Sequence, residues 1–425
     1  MAENQAYDVV VVGAGNAALC AALAAQEQGA RVLVLEKAPQ HLRGGNSYFT
    51  GGGFRFAYNG VEDYDAIIPD LTETERATID VGSYPTSKFY DDLMRVTEGL
   101  ADPDLADLLV NQSYPTMVWM RERGMRWVLM FGRQSFKVGD KYRFWGGLLV
   151  EAVGGGKGLI DRLFEIIEKE PTIDVRYDTK ASDLLTDEAG RVTGVRIKDL
   201  NGYADIPAGA VVLACGGFEA NTEMRTRYLG PGWDLAKVRG TPYNTGDGIN
   251  MALRIGAEPH GHWSGCHAVA WDANAPSRGG DWIITDLFQK HSYPFGLIVN
   301  VDGERFVDEG ADFRNYTYAK YGRELLRQPQ RLGFQIFDAK VEHLLRDEYK
   351  IREVTSATTN TIEELASELG INRENFVRTI REFNAAVQEG EFNPTILDGK
   401  HTEGITPPKT NWALPIDTPP FKGYA

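Results

Sequence analysis

The segment Gly13-Ala14-Gly15-Asn16-Ala17-Ala18 stands between a β-branched apolar run, residues 7–12, and an Ala/Leu-rich stretch. In that setting Gly13 permits a tight turn and Gly15 lets the backbone approach a pyrophosphate. Ala18 is small enough for helix and strand to pack closely. Phosphates then meet the free N–H groups and positive dipole end of the helix. Glu36 follows 21 residues after Gly15, where a carboxylate can hold ribose hydroxyls. An acid there repels a 2′-phosphate and so disfavours NADP. Directly behind lie Gly44-Gly45-Asn46-Ser47 and Gly51-Gly52-Gly53. An NAD domain continues instead into a plain βα unit. A glycine-rich, amide-presenting loop suits a backbone running along a ribityl chain and isoalloxazine, so the expected cofactor is FAD.

Four of the seven histidines, His260, His262, His267 and His291, stand close together in the chain. His260, His262, Cys266 and His267 could be read as a metal cluster, but HxH and CH spacings fit no common closed zinc site, so no metal is expected. Arg239, Arg278 and Lys290 either shape an anion pocket or are ordinary surface charges. Cys20, Cys215 and Cys266 are far apart, which argues for a reducing compartment and against a thiolate-held cluster. The 45 basic and 60 acidic side chains leave a formal charge of −15, which repels nucleic acid. No apolar run approaches the roughly 20 residues that span a bilayer, and no signal peptide is visible. The expectation is a cytoplasmic protein.

At these residues the sequence resembles the flavoprotein subunits of the fumarate reductase and succinate dehydrogenase superfamily. The pieces that carry the resemblance are GAGNAAL (13–19), LEKAP (35–39), RGGNS and GGG (43–53), GGGKG (154–158), GRVTGV (190–195), ACGGF (214–218), TGDGI (245–249) and VNVDGERFVDEGADFR (299–314). Within that superfamily RGTPYN (239–244) and the HTEG, PPKTNWA and DTPPF segments are most similar to the FAD-dependent tricarballylate dehydrogenases. The resemblance implies FAD contacts at Gly13, Gly15, Ala18, Glu36, Lys37, Asn46, Ser47, Gly52, Gly53, Ala181, Ala214 and Asp247. Respiratory members attach FAD through a histidine in the loop matching RGGNS. Asn46 stands there, so the flavin is expected to be non-covalent.

The same resemblance makes Arg314, in the segment from Gly303, the candidate acid/base; a surface salt bridge to Asp312 or Glu309 is the bland alternative. It makes His267 the histidine that polarises a substrate carboxylate. It aligns Thr285 and Asp286 with a substrate-binding, proton-relaying Thr-Glu pair. Its further site elements, a second histidine, a clamp arginine and a last flavin segment, lie beyond a PPF-x-x-Y-like segment. Here that is Pro419 to Tyr424, one residue before the end, and the resemblance leads one to expect a site short of those elements. The implied reaction is α,β-dehydrogenation of a small di- or tricarboxylate, with tricarballylate to cis-aconitate as the leading case. A membrane-bound iron–sulfur or haem partner would reoxidise the flavin and could hold the protein at the inner face of the membrane. The alternatives are a fumarate- or urocanate-type reductase, or a non-catalytic flavin-binding subunit.

The elements that must position these residues are a strand over 7–12, a helix over about 16–28 and a second buried strand over 31–36. Helices are expected near 86–98, 104–123, after Gly158, after Thr361 and over about 373–387. A hairpin-like stretch over 174–199 leads to a buried strand over 210–215. The expected fold is α/β: a Rossmann-like three-layer (β-β-α) FAD-binding domain over 1–257, completed by 413–425, with an inserted α+β capping domain over 258–412.

Overall fold

The computed structural model describes residues 7–425. β1 (Tyr7–Val12) leads through the glycine turn to α1 (Asn16–Glu27) and then to β2 (Val32–Leu35), all four residues of which are buried. A strand apolar on both faces requires cover on both, and this one sits inside a six-stranded sheet. The order is 180–186, 192–199, 202–213, β1, β2, 173–176. The last four of these run parallel. α1 buries Ala18, Leu19, Ala22 and Leu23 in a core shared with the helix Gly155–Ile167.

The strand Gly202–Leu213 is longer than expected, because it serves two partners in succession. Gly202–Pro207 pairs antiparallel with 194–199, and Ala208–Leu213 pairs parallel with β1. Pro207, which has no N–H to donate, stands where the partner changes. The end of this strand is only half-buried, with Leu213 at 36% exposure, because Ala214, Cys215 and Gly216 beyond it form a cleft rim.

A second sheet has four antiparallel strands in the order 297–300, 333–337, 421–424, 356–359. The helices Ile362–Leu369 and Arg373–Ala386 cover it. This corrects the expectation that 413–425 completes the first domain: Phe421–Tyr424 is an interior strand of the second sheet. Gly423 explains the fit, since a Cβ there would collide with Leu369 of the covering helix. The helices expected early in the chain form as Thr86–Val96 and Pro103–Glu122.

Candidate functional site

Two adjoining cavities share one wall residue, Asn46. The first, about 210 Å³, lies at the N-terminus of α1 and is lined by Gly13, Gly15, Glu36, Lys37, Ser47, Ala181, Ala214 and Asp247, among others. Gly13 has φ +109°, and a Cβ there would collide with the Ala214 carbonyl oxygen, so only glycine lets this turn lie against the neighbouring strand. Gly15 caps α1 without any side-chain cap, while Ser47 Oγ accepts from Asn16 N–H at 3.1 Å. The helix end thus presents N–H groups to the cleft, which suits an anion.

Glu36 is buried, and its Oε1 accepts from Ala38 N–H at 2.8 Å. Burial pushes its carboxyl above the ordinary value, against the pull of that N–H and of Lys37. Lys37 Nζ reaches Asp247 Oδ2 at 2.6 Å, and Lys180 Nζ reaches Oδ1 at 2.8 Å. Burial raises the Asp247 pKa, but these lysine hydrogen bonds outweigh it and leave the group a carboxylate. Ala18 is the one expected contact outside this cleft and its neighbour; it is fully buried behind the turn, where it packs. The cleft therefore fits the adenosine-diphosphate half of a dinucleotide: an uncapped helix end for phosphate and a buried acid for ribose.

The second cavity is larger, about 950 Å³, and is bordered by Asn46 and Gly51–Gly53 on the side of the first. Gly52 has φ +68°, and a Cβ would lie 2.5 Å from the Gly155 backbone. The loop therefore lies bare against the glycines that open the next helix, and a flat ring can approach it. Asn46 Oδ1 accepts from Thr241 N–H at 2.9 Å.

Guanidinium groups converge on this cavity. Asp286, 3% exposed, accepts from Arg133 at 3.1 Å, from Arg239 by a short contact, and from Gln289 Nε2 at 2.9 Å. Thr285, at φ +52°, turns the chain into Asp286 but is not itself in the cavity wall. Arg314 opens the helix Arg314–Leu326 and is 9% exposed. It donates from Nη1 to His291 Nδ1 at 3.4 Å and from Nη2 to the Arg133 carbonyl at 3.2 Å. A guanidinium only donates, so His291 Nδ1 is the bare nitrogen and the proton of the neutral ring sits on Nε2. Neither His291 Nε2 nor Arg314 Nε has a partner. The surface salt bridges that were the alternative for Arg314 do not form: Asp312 pairs with Arg95 and Glu309 with Arg305. Burial lowers the Arg314 pKa against the pull of the Glu348 charge, and among the described residues no carboxylate lies within ion-pair distance.

His267 borders the same cavity, and its ring packs edge-on to Tyr318 at 5.0 Å; His291 meets Tyr318 from another side at 4.8 Å. Desolvation, helped by Arg239, holds the His267 imidazole at about 4, so it is neutral near pH 7. Arg239 thus belongs to the site. Lys290 is buried against Asp272, and Arg278 is exposed away from the cavity. No metal cluster exists among the described residues: His260 pairs with Asp102 and His262 with Ser264.

Several residues of the cavity wall were given no role by the sequence, although His291 stood out as one of four clustered histidines. Arg133, Gln289, His291, Tyr318 and Arg346 all line the cavity, yet none belongs to a motif quoted above. Arg346, in LLRDEY, reads as part of a surface charge run.

The chain is similar to fumarate reductase (cytochrome) from Shewanella frigidimarina, 28% identical over 92% of this chain and 62% of that protein. It is similar to urocanate reductase from Eggerthella lenta, 27% identical over 91% and 60%. A 3-oxosteroid 1-dehydrogenase from Mycolicibacterium smegmatis is 28% identical over 91% and 79%. The chain thus spans about three fifths of the length of the two reductases. Its fold is that of an open flavocytochrome c3 fumarate reductase (TM-score 0.67, 24% identity, 99% of this chain and 66% of that one). It is equally that of the 3-ketosteroid Δ1-dehydrogenase of Sterolibacterium denitrificans (0.68, 19%, 99% and 87%). A family model described as an FAD binding domain matches residues 8–412, in agreement with the cleft and loop geometry; the chain belongs to this FAD-binding family, and FAD is its cofactor.

Proposed function

We propose that the chain is the flavin-bearing part of an oxidoreductase acting on the Cα–Cβ bond of a small polycarboxylate, tricarballylate to cis-aconitate being the leading case. The observation that carries this reading is the convergence of Arg133, Arg239, Arg314 and Arg346 on one cavity beside the glycine loop. Relatives named for fumarate, urocanate and 3-oxosteroids leave the substrate open. Four guanidiniums favour a carboxylate over an uncharged steroid.

Bound FAD supplies the acceptor for the hydride. The chain's residues must hold the carboxylates so that the two departing hydrogens lie correctly, and must take the proton from the carbon next to the one that loses hydride. Arg239 and Arg133, anchored by Asp286, are placed to orient one carboxylate. Arg314 engages one N–H of Nη1 and one of Nη2, which leaves its other N–H sites to exchange a proton with the substrate. Its lowered proton affinity is what that role needs. His267, neutral, can donate a hydrogen bond to a carboxylate oxygen. Asn46, where a histidine would form the covalent link, supports a non-covalent flavin. The proposed electron acceptor is a partner with an iron–sulfur or haem centre at the inner face of the membrane; among the described residues the three cysteines are all free thiols.

The holoprotein should be yellow and release its flavin on denaturation. Under anaerobic conditions tricarballylate, and not succinate, should bleach it. A second reading, alkene reduction, draws on the same Arg314, now as proton donor. Reoxidation of chemically reduced protein by fumarate or urocanate, with no bleaching by tricarballylate, would select it. No response to any carboxylate would sink both.

A further inference from the structure

Arg346 has no part in the network just described. Its backbone N–H donates to Ser292 Oγ at 3.2 Å, but its guanidinium makes no hydrogen bond or ion pair among the described residues. Arg133 and Arg239 share Asp286, and Arg314 is held by His291 and the Arg133 carbonyl. Arg346 borders the same cavity with every donor unused. The nearest acid behind it, Glu348, is 2% exposed with an unpartnered Oε1. It offsets part of the charge without reaching Arg346 as an ion pair.

A guanidinium kept in the interior without an acceptor costs free energy unless something supplies one. Burial, followed by the repulsion of Arg314, lowers the Arg346 pKa to about 9. The lining also holds Lys237, Arg225, which donates to the Ala236 and Asp234 carbonyls, and the exposed Arg331, against the two acids Glu219 and Asp286. Once one substrate carboxylate lies on the Arg239 side and another at Arg314, Arg346 is the guanidinium left without an acceptor away from the exposed rim, since Arg225 and Lys237 are held by backbone carbonyls and Arg331 is exposed.

We propose that Arg346 anchors a third substrate carboxylate and makes this site prefer a tricarboxylate to a dicarboxylate. This rests on the polycarboxylate reading above and adds a specificity residue to it. The fork of the guanidinium matches a carboxylate in two parallel hydrogen bonds, which a flexible ammonium reproduces only in part.

The test is calorimetric titration of the oxidised holoprotein with citrate and with 3-hydroxyglutarate, which lacks the central carboxylate. Citrate has no hydrogen on its central carbon, so the titration reads binding. The wild type should bind citrate at least about tenfold more tightly, the scale of one charge-assisted pair. Arg346→Gln should reduce that preference below about threefold while shifting the 3-hydroxyglutarate affinity by less than about threefold. Arg346→Lys should keep part of the preference, which separates loss of the anchor from loss of the fold; bound flavin in both variants should match the wild type. Equal weakening of both ligands in Arg346→Gln, or no change in either, would overturn the assignment while leaving the polycarboxylate reading intact. A wild type that binds both equally would do the same. A wild type that binds neither would overturn the reading and the inference together.

Discussion

Arg314 combines burial, a neutral imidazole partner and, among the described residues, the lack of any carboxylate within ion-pair distance, and that combination separates it from Arg133 and Arg239. A guanidinium salt-bridged to an acid holds its proton; one facing a bare imidazole nitrogen releases it more readily. Arg314→Gln should therefore lower turnover by about 10²- to 10⁴-fold, the usual weight of a positioned acid or base, with flavin content unchanged. Comparing steady-state rates with bound-flavin absorbance checks this. The histidines give a pH signature. The folded-state pKa of His267 is about 4 against an ordinary 6.5, and that of His291 is also well below 6.5. Between these values the unfolded chain binds more protons, so stability falls as pH drops from about 6.5 toward 4. Urea midpoints measured across that interval should decline, and His267→Gln should make the decline shallower.

Among the elements, the β1–α1–β2 unit was readable almost to the residue, because a run apolar on both faces, a glycine turn and an Ala/Leu-rich helix each have a local cause. Gly13 shows how strictly that unit is specified. Gly13→Ala would force a Cβ onto the Ala214 carbonyl oxygen in a left-handed conformation, costing roughly 1–3 kcal/mol of strain. The purified variant should carry much less than one flavin per chain, measured by absorbance after denaturation. The last strand was misassigned for an equally physical reason. Phe421–Tyr424 pairs with segments at 333–337 and 356–359, at least 85 and 62 residues away between paired residues (Phe337 with Lys422, Thr359 with Phe421), and no local pattern encodes which sheet a four-residue strand joins. Of Gly202–Leu213 only the part from Ala210 was foreseen as a buried strand, because its first half, paired antiparallel with 194–199, lacks the continuous apolar run of the second.

Across the whole molecule, the flavin cleft was legible as one motif, while the arginine-lined cavity was legible only in Arg314, Arg239, His267 and Asp286, and not in Arg133 or Arg346. Gly13, Gly15 and Glu36 lie within 24 residues and form one motif. Arg133, Arg239, Arg314 and Arg346 come from four separate segments and meet only through tertiary packing. A chain of formal charge −15 thus gathers these four cations around one cavity. Asn46 belongs to both cavities. Its side chain holds the Thr241 N–H and leaves no room for a side chain at Gly240, next to Arg239. An anion that settled this wall would settle the cofactor loop as well, and by reciprocity any tightening of one ligand by the other acts by the same factor in both directions. Holoprotein diluted into buffer should shed its yellow group about fivefold more slowly when citrate is present, followed by the rise in free-flavin fluorescence. A cell short of carboxylate would then recover this polypeptide partly colourless.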